Sequence, residues 1–121
     1  MARTGKLKEP ETMRASTVWL SFDLGVRGDY ESLYGWLDAH SAKECGDSVA
    51  VFNFSWKEDL FKELRADLEE AVKTDKRTRI YVIYRDRVAE KNRGKFIVGG
   101  RRAAAWEGYS QQAPGEVDEE I

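Results

Sequence analysis

Asp23 is the residue in this 121-residue sequence best suited to bind a divalent cation. It ends an apolar segment, and Mg²⁺ in proteins commonly takes one or two carboxylates together with water and phosphate oxygens. Two copies of Asp23 that met across a dimer axis would supply two such carboxylates. The alternative is structural, because an aspartate at the end of a strand can accept hydrogen bonds from the turn that follows, here at Gly25.

A second candidate site is the G-x-x-G loop from Gly25 to Gly28, which carries the cation Arg27. The loop leads into a predicted helix, and the backbone N–H groups at a helix N-terminus attract anions such as phosphate. Asp29 competes for the same helix end as its N-cap residue. Two glycines also suit a tight turn between a strand and a helix without any ligand.

A third candidate is a basic stretch that runs from Lys76 to Arg102, with Trp106 and Tyr109 just beyond it. Cations beside aromatic rings suit neutralisation of a phosphate backbone combined with base stacking. Trp and Tyr are also enriched at protein interfaces, so Trp106 fits a docking arm as well as a cover for the sheet. The residues predicted to contact nucleic acid or another partner are Arg27, Arg85, Arg87, Lys91, Arg93, Lys95, Arg101, Arg102 and Trp106.

The single histidine, His40, and the single cysteine, Cys45, are close in sequence and suggest a nucleophile and its base. Such a pair also needs an orienting group and an oxyanion site, and the sequence reveals neither. Without a specific catalytic set, the sequence leaves open whether the protein is an enzyme.

Composition limits the class of protein. A chain of this length is expected to form one domain, and a lone cysteine excludes an intramolecular disulfide and a Cys-ligated zinc site of the usual kind. No apolar run has the length of about 20 residues that a membrane span needs, and we expect a cytoplasmic protein. The net charge of −2 combines 20 basic and 22 acidic residues that are segregated along the chain.

Hydrophobic periodicity and turn residues predict seven elements. Ser55 and Glu58 match the S-x-x-E capping box, which predicts a helix from about Trp56. A charged connection is predicted over 86–93. The predicted strands cover 17–24, 43–45, 48–54, 79–85 and 95–98, and the predicted helices cover 30–40 and 56–73.

This element order predicts a ferredoxin-like α+β fold, βαββαβ with an extra C-terminal edge strand and two helices on one face of an antiparallel sheet. The domain is expected to span 16–109, between a disordered leader at 1–15 and a disordered acidic tail at 110–121. In the first helix, Tyr30, Leu33, Tyr34 and Leu37 form the predicted core-facing stripe.

The second face of the predicted sheet carries apolar side chains that the helices do not cover. Trp19, Tyr81 and Ile83 should point to this face, together with Val49 and Val51. So much apolar surface predicts a cover. One alternative is a homodimer that packs sheet against sheet, and the other is a cover formed by the tails or by the region after Gly100.

In layout, from Thr17 to Val98, the sequence resembles a group of small ferredoxin-like proteins. The group comprises the smaller adaptation subunit of CRISPR systems, the virulence-associated protein D family and a related antitoxin ribonuclease. The resemblance rests on element order, on the ending of the first strand at Phe22 and Asp23, and on the strand from Ile80 to Tyr84. It implies that Asp23 lies near a dimer axis and takes part in metal-dependent phosphodiester cleavage.

Two functions are therefore carried forward. The first is a small binding or regulatory module, dimeric and without a cofactor, which contacts a protein or nucleic-acid partner. The second is a metal-dependent nuclease in which Asp23 holds Mg²⁺ and Arg27 or Arg85 steadies the phosphate.

Overall fold

The structure, a computed structural model, describes residues 12–110. Most of the predicted leader and of the predicted acidic tail lies outside these residues. The described chain contains seven elements, and each corresponds to a predicted one. They are β1 (Arg14–Asp23), α1 (Tyr30–Ala39), β2 (Lys43–Gly46), β3 (Val49–Trp56), α2 (Leu60–Ala71), β4 (Arg79–Asp86) and β5 (Lys91–Val98).

The five strands form one sheet in the order β2-β3-β1-β4-β5, and all neighbouring strands are antiparallel. The predicted α+β class, with two helices and an antiparallel sheet, is confirmed. Strand β1 is central, so that Val18 lies opposite Phe52 on one side and Tyr84 on the other. No helix within residues 12–110 combines the length and the apolar character needed to cross a membrane.

The core lies between the two helices and one face of the sheet. Side chains alternate between the two faces of a strand, and β1, β3 and β4 each bury every second residue. The strands contribute Val18, Leu20, Phe22, Ala50, Phe52, Phe54, Trp56, Ile80, Val82 and Tyr84, and the helices contribute Leu33, Trp36, Leu37, Leu60, Leu64 and Leu68.

Helix α1 buries a stripe that differs from the predicted one. Asp29 is its N-cap, as predicted, but Trp36 is buried and Tyr34 is 53% exposed. Tyr34 instead packs at the helix edge against the rings of Phe22 and Tyr30. The prediction that Tyr34 faces the core was wrong. Helical periodicity allows either Tyr34 or Trp36 to face the core beside Leu33 and Leu37, and the helix buries Trp36, which has the larger ring.

Helix α2 begins at Leu60, so the predicted capping box at Ser55 and Glu58 is wrong. Strand β3 continues to Trp56, whose buried indole donates a hydrogen bond to the Ser16 hydroxyl at 3.0 Å. Asp59 is the N-cap instead and accepts from the Lys62 N–H at 3.1 Å. The Glu63 carboxylate reaches back and accepts from the N–H groups of three residues at 2.8–2.9 Å, namely Lys57, Glu58 and Asp59.

The connection between β4 and β5 is shorter than the predicted segment 86–93. Strand β5 begins at Lys91, and only a four-residue turn separates the two strands. Asp86 holds this turn, because its carboxylate accepts from the N–H groups of Val88 and Ala89 and from Arg93 Nε at 2.6 Å. The charged residues that indicated an exposed connection are therefore ordered within a hairpin. Strand β1 likewise begins at Arg14, earlier than predicted.

We expect Glu63→Ala to lower the free energy of unfolding by about 1 kcal/mol, because three N–H groups at the start of α2 lose their acceptor. The N–H groups of Asp59, Glu58 and Lys57 lower the pKa of Glu63. The folded-state pKa thus lies below the unfolded-state pKa, so this stabilisation is present at neutral pH and is lost as the pH falls through the lowered value.

Urea unfolding at several pH values measures this effect. Glu70→Ala is the matched control, because Glu70 is exposed on the same helix and the exchange is the same. Equal losses in the two variants at neutral pH would contradict the capping role of Glu63.

Candidate functional site: a cleft on the open sheet face

The sheet face opposite the helices, here named the open face, carries the side chains that alternate with the core residues. Strand register arranges these side chains in rows across the sheet. Trp19, on the central strand β1, is 45% exposed. The first row consists of Val51, Trp19 and Ile83, and the second consists of Val49, Ser21, Tyr81 and Phe96. The residues predicted to point away from the helices therefore do so.

Tyr81 lies across the neighbouring strand, where Gly94 leaves room for its ring. A Cβ atom at Gly94 would collide with the Tyr81 hydroxyl group. The Tyr81 ring also meets Phe96 edge-on, with the ring centroids 4.8 Å apart. The absence of a side chain at Gly94 thus makes room for the Tyr81 ring, a role that the sequence did not suggest.

Residues after β5 return to the open face and complete a cleft there. The Arg101 guanidinium lies 5.9 Å from the Tyr81 ring centroid and 5.7 Å from that of Phe96, within cation–π range. Trp106 is 77% exposed and lines the same cavity. This cavity of about 430 Å³, here named the aromatic cleft, is lined by Ser21, Phe22, Asp23, Arg79, Tyr81, Phe96, Arg101 and Trp106.

Asp23 lies in the aromatic cleft and uses both of its carboxylate oxygens. One oxygen accepts from the Gly25 N–H at 3.1 Å, and the other accepts from Arg79 Nη2 at 3.2 Å. The Gly25 bond and then the Arg79 bond lower the pKa of Asp23, so the side chain is a carboxylate at neutral pH. These contacts match the turn-capping alternative for Asp23. No group of three or more His, Cys, Asp or Glu that could hold a metal ion occurs among residues 12–110.

Arg79 belongs to the site although it was not among the predicted contact residues. Its position opposite Asp23 depends on the register between β1 and β4, which sequence periodicity alone does not give. Arg79 Nε is buried and has no hydrogen-bond partner in the described part of the chain. A buried donor without an acceptor is costly, so the other contacts of Arg79 must offset this cost.

The predicted basic residues do not form one patch. The cleft brings together Asp23, Arg101 and Trp106, and Arg102 lies nearby, where it donates to the Arg77 carbonyl at 3.1 Å and contributes to the lowered pKa of Asp23. Lys95 lies on the helix side, 4.9 Å from the Phe61 ring centroid. The other predicted cations do not line the aromatic cleft. They are Arg85, Arg87, Lys91 and Arg93 at the β4–β5 hairpin and Arg27 after β1.

The G-x-x-G loop has the geometry of a tight turn. Gly25 has a positive φ of 76°, and a Cβ at Gly28 would collide with Leu24. The Asp29 carboxylate occupies the helix end by accepting from the N–H groups of Ser32 at 3.3 Å and Lys73 at 3.0 Å. These features support the interpretation of the loop as a tight turn between a strand and a helix, without a bound phosphate.

His40 and Cys45 do not form a nucleophile–base pair. His40 stacks on Trp36 with the ring centroids 3.8 Å apart, and its Nε2 lies 3.6 Å from Asp67 Oδ2. Cys45 is exposed on β2 and is not among the contacts of His40 within residues 12–110. His40 instead helps to join α1 to α2.

Comparisons of the chain with protein-family models, with curated proteins and with solved structures find no match. The resemblance to the adaptation subunit and to virulence-associated protein D stays a prediction. The functional argument therefore rests on the geometry of the aromatic cleft.

We expect Arg79→Gln to raise the pKa of Asp23, because the variant removes the cation and weakens the hydrogen bond to one carboxylate oxygen. The ion pair is partly exposed and should contribute less than about 1 kcal/mol of stability. That stability is present above the ordinary aspartate pKa and is lost as the pH falls through the lowered value.

Titration of the Asp23 carboxyl carbon by NMR measures the shift. Arg85→Gln, on the same strand and away from Asp23, is the control and should leave the titration unchanged. An unchanged midpoint in Arg79→Gln would show that the ion pair does not form in solution.

Proposed function

We propose that the protein is a binding module that holds single-stranded nucleic acid on its open face. The observation that carries this proposal is the convergence of aromatic rings and arginine side chains on one surface. Trp19, Tyr81 and Phe96 supply rings from three adjacent strands, and Trp106 adds a ring from the following turn. Arg79 and Arg101 supply the cations at the same end of the face.

This combination suits unpaired bases better than a duplex. An exposed aromatic ring on a sheet can stack on any base that is not already paired, while nearby cations neutralise the backbone. In a duplex the bases already stack on one another, and an aromatic side chain can reach them only if they unstack. A sheet face with rings on adjacent strands therefore favours single strands.

The overall charge of −2 is compatible with this function because binding depends on the local field. Half of the chain's 20 cations lie between Lys76 and Arg102, and those near the cleft come from β4 and from the segment after β5. The acidic residues of α2 are on the other side of the sheet. The open face thus presents cations to an anionic strand.

The strand order also supports the ferredoxin-like arrangement as the architecture of this module. The order β2-β3-β1-β4 contains two split β-α-β units, and β5 extends the sheet beside β4. In this arrangement both helices cover one face and leave the other free for a ligand. We propose this finer assignment together with the function.

The homodimer predicted from the sequence would use the same surface. Packing sheet against sheet would cover Trp19 and Ile83, whereas the cleft near Asp23 lies toward the end of the strands. A dimer would bury Trp19 against the second copy, whereas a nucleic-acid complex needs Trp19 to be exposed for stacking on a base.

The metal-dependent nuclease is the other alternative, and it needs Asp23 to give up contacts that it makes with Gly25 and Arg79.

We expect the purified protein to bind labelled single-stranded oligonucleotides, and we expect Trp19→Ala and Tyr81→Ala each to weaken binding by about 1–3 kcal/mol, the usual value of one stacked base. Fluorescence anisotropy measures the affinity. Tyr34→Ala is the matched control, because Tyr34 is an exposed ring on the helix side.

Two further measurements separate the alternatives. Light scattering gives the solution mass, and a dimer that becomes a monomer in Trp19→Ala, without any oligonucleotide binding by either protein, would favour the homodimer. Cleavage of the oligonucleotides that needs Mg²⁺ and disappears in Asp23→Asn would favour the nuclease. Equal binding of duplex and single strand would contradict the stacking mechanism.

We expect Gly94→Ala to weaken oligonucleotide binding as well, because the added Cβ forces the Tyr81 ring out of its position. The effect should vanish in a Tyr81→Ala background, where no ring is left to displace. Gly35→Ala is the control, because nothing lies within 4 Å of the added Cβ there. Equal losses from Gly94→Ala with and without the Tyr81 ring would contradict this role of Gly94.

A further inference from the structure

The carboxylate of Asp23 is an unusual group at the end of a surface that would bind a polyanion. It lines the aromatic cleft beside Tyr81, Phe96 and Trp106, and its side chain is 49% exposed. A general phosphate-binding surface gains nothing from a negative charge there, because the carboxylate repels the backbone. Besides its structural contacts with Gly25 and Arg79, a group with this charge can favour a ligand only if the ligand brings hydrogen-bond donors to it.

Asp23 still has acceptor capacity for such donors. Each carboxylate oxygen accepts one hydrogen bond within the described chain, from Gly25 or from Arg79. Each oxygen can accept a second bond, so the two oxygens together offer a pair of adjacent acceptors. The Gly25 and Arg79 contacts also fix the orientation of the carboxylate before any ligand arrives.

The dimensions and lining of the cleft suit a planar base. The volume of about 430 Å³ lies within the range of roughly 300–1,000 Å³ typical of small-ligand sites. Tyr81 and Phe96 form one wall, Trp106 is an exposed ring at the same cavity, and the Arg101 guanidinium lies above both wall rings. A base that enters can stack on these groups while its edge points at Asp23.

We infer that the aromatic cleft is a subsite for a guanine base, read by Asp23; this inference rests on the proposed function. Guanine presents two adjacent donors, N1–H and the exocyclic N2 amino group, which match the two acceptors of a carboxylate. Adenine and cytosine present an amino donor next to a ring acceptor, and the N3–H of uracil is flanked by two carbonyl groups. Each of these bases would place at least one acceptor against the carboxylate.

The Arg101 guanidinium can complement the opposite edge of the same base. Guanine N7 and O6 are acceptors, and arginine is the usual partner for them. Arg101 lies above the wall rings, whereas Arg79 pairs with Asp23 and therefore lies on the carboxylate side of the cleft. One subsite therefore contains an acceptor pair and a nearby arginine, which is the pattern that guanine requires.

The test compares oligouridine with the same oligomer carrying one central guanosine, adenosine, cytidine or inosine. We expect the guanosine oligomer to bind about 5- to 150-fold more tightly than the adenosine or cytidine oligomer, as for one bidentate base contact. Inosine lacks the N2 amino group and should give an intermediate affinity. Asp23→Asn should abolish the preference for guanosine, because asparagine keeps an acceptor for Gly25 but loses the acceptor pair. The same variant should strengthen the binding of oligouridine, because it removes a charge that repels the backbone.

Asp38→Asn is the matched control, because Asp38 is exposed on α1 and away from the cleft. Circular dichroism verifies that each variant is folded. Tight binding of every oligomer without a guanosine preference would overturn the guanine subsite and leave the single-strand function standing. Absence of binding to any oligomer would overturn both.

The same guanine chemistry can come from a free nucleotide rather than a strand. Competition with guanosine monophosphate distinguishes the two sources. If the mononucleotide competes as strongly as the oligomer and Asp23→Asn removes this competition, the guanine subsite stands and the single-strand function is overturned.

Discussion

The strict alternation of side chains along β1 is the constraint on which the rest of the structure depends. Val18 and Leu20 are fully buried against the helices, and β1 is paired on both sides, with β3 and with β4. Because the side-chain period of a strand is two, burial of these residues forces Trp19, Ser21 and Asp23 onto the open face. A slip of one residue would place Asp23 in the core and Leu20 in water. Burial of the carboxylate and exposure of the leucine would both raise the free energy of the folded state. The open face is thus a consequence of how the core is packed.

Contacts between residues distant in sequence then turn this face into a site. Asp23 meets Arg79 across the strand pair, and Tyr81 fits over Gly94 on the next strand. Both contacts join β1, β4 and β5 at the same end of the sheet, and Arg101 is added as the chain leaves β5. Strand pairing already brings together the groups of the site that lie on β1, β4 and β5, whereas Arg101 and Trp106 come from the segment after β5. Sites built on paired strands keep their geometry better than sites built on loops.

The sequence predicted those features whose cause is local and missed those whose cause is a distant contact. Period-two and helical patterns gave the seven elements, and Asp29 was recognised as an N-cap. The capping box at Ser55 failed because the local motif competes with the extension of β3, which depends on the burial of Trp56 against Ser16. Charge patterning likewise placed Lys95 and Arg101 in one basic stretch, whereas Lys95 lies opposite the core-facing Val82 and therefore on the helix side. Arg79 and Gly94 could not be found, because their importance depends on register.

The charges of the cleft explain how a small acidic protein could be a selective binder rather than a strong one. Cations alone would attract every anionic strand with similar strength, since phosphate contacts carry no base information. A fixed carboxylate among these cations lowers the general attraction for anionic strands. It forms favourable contacts only with a ligand that carries hydrogen-bond donors. Specificity is a difference of affinities, and it can be increased by a group that repels the wrong ligand. Asp23, held by Gly25 and Arg79 at the end of the aromatic rows, has the position and the charge for that role.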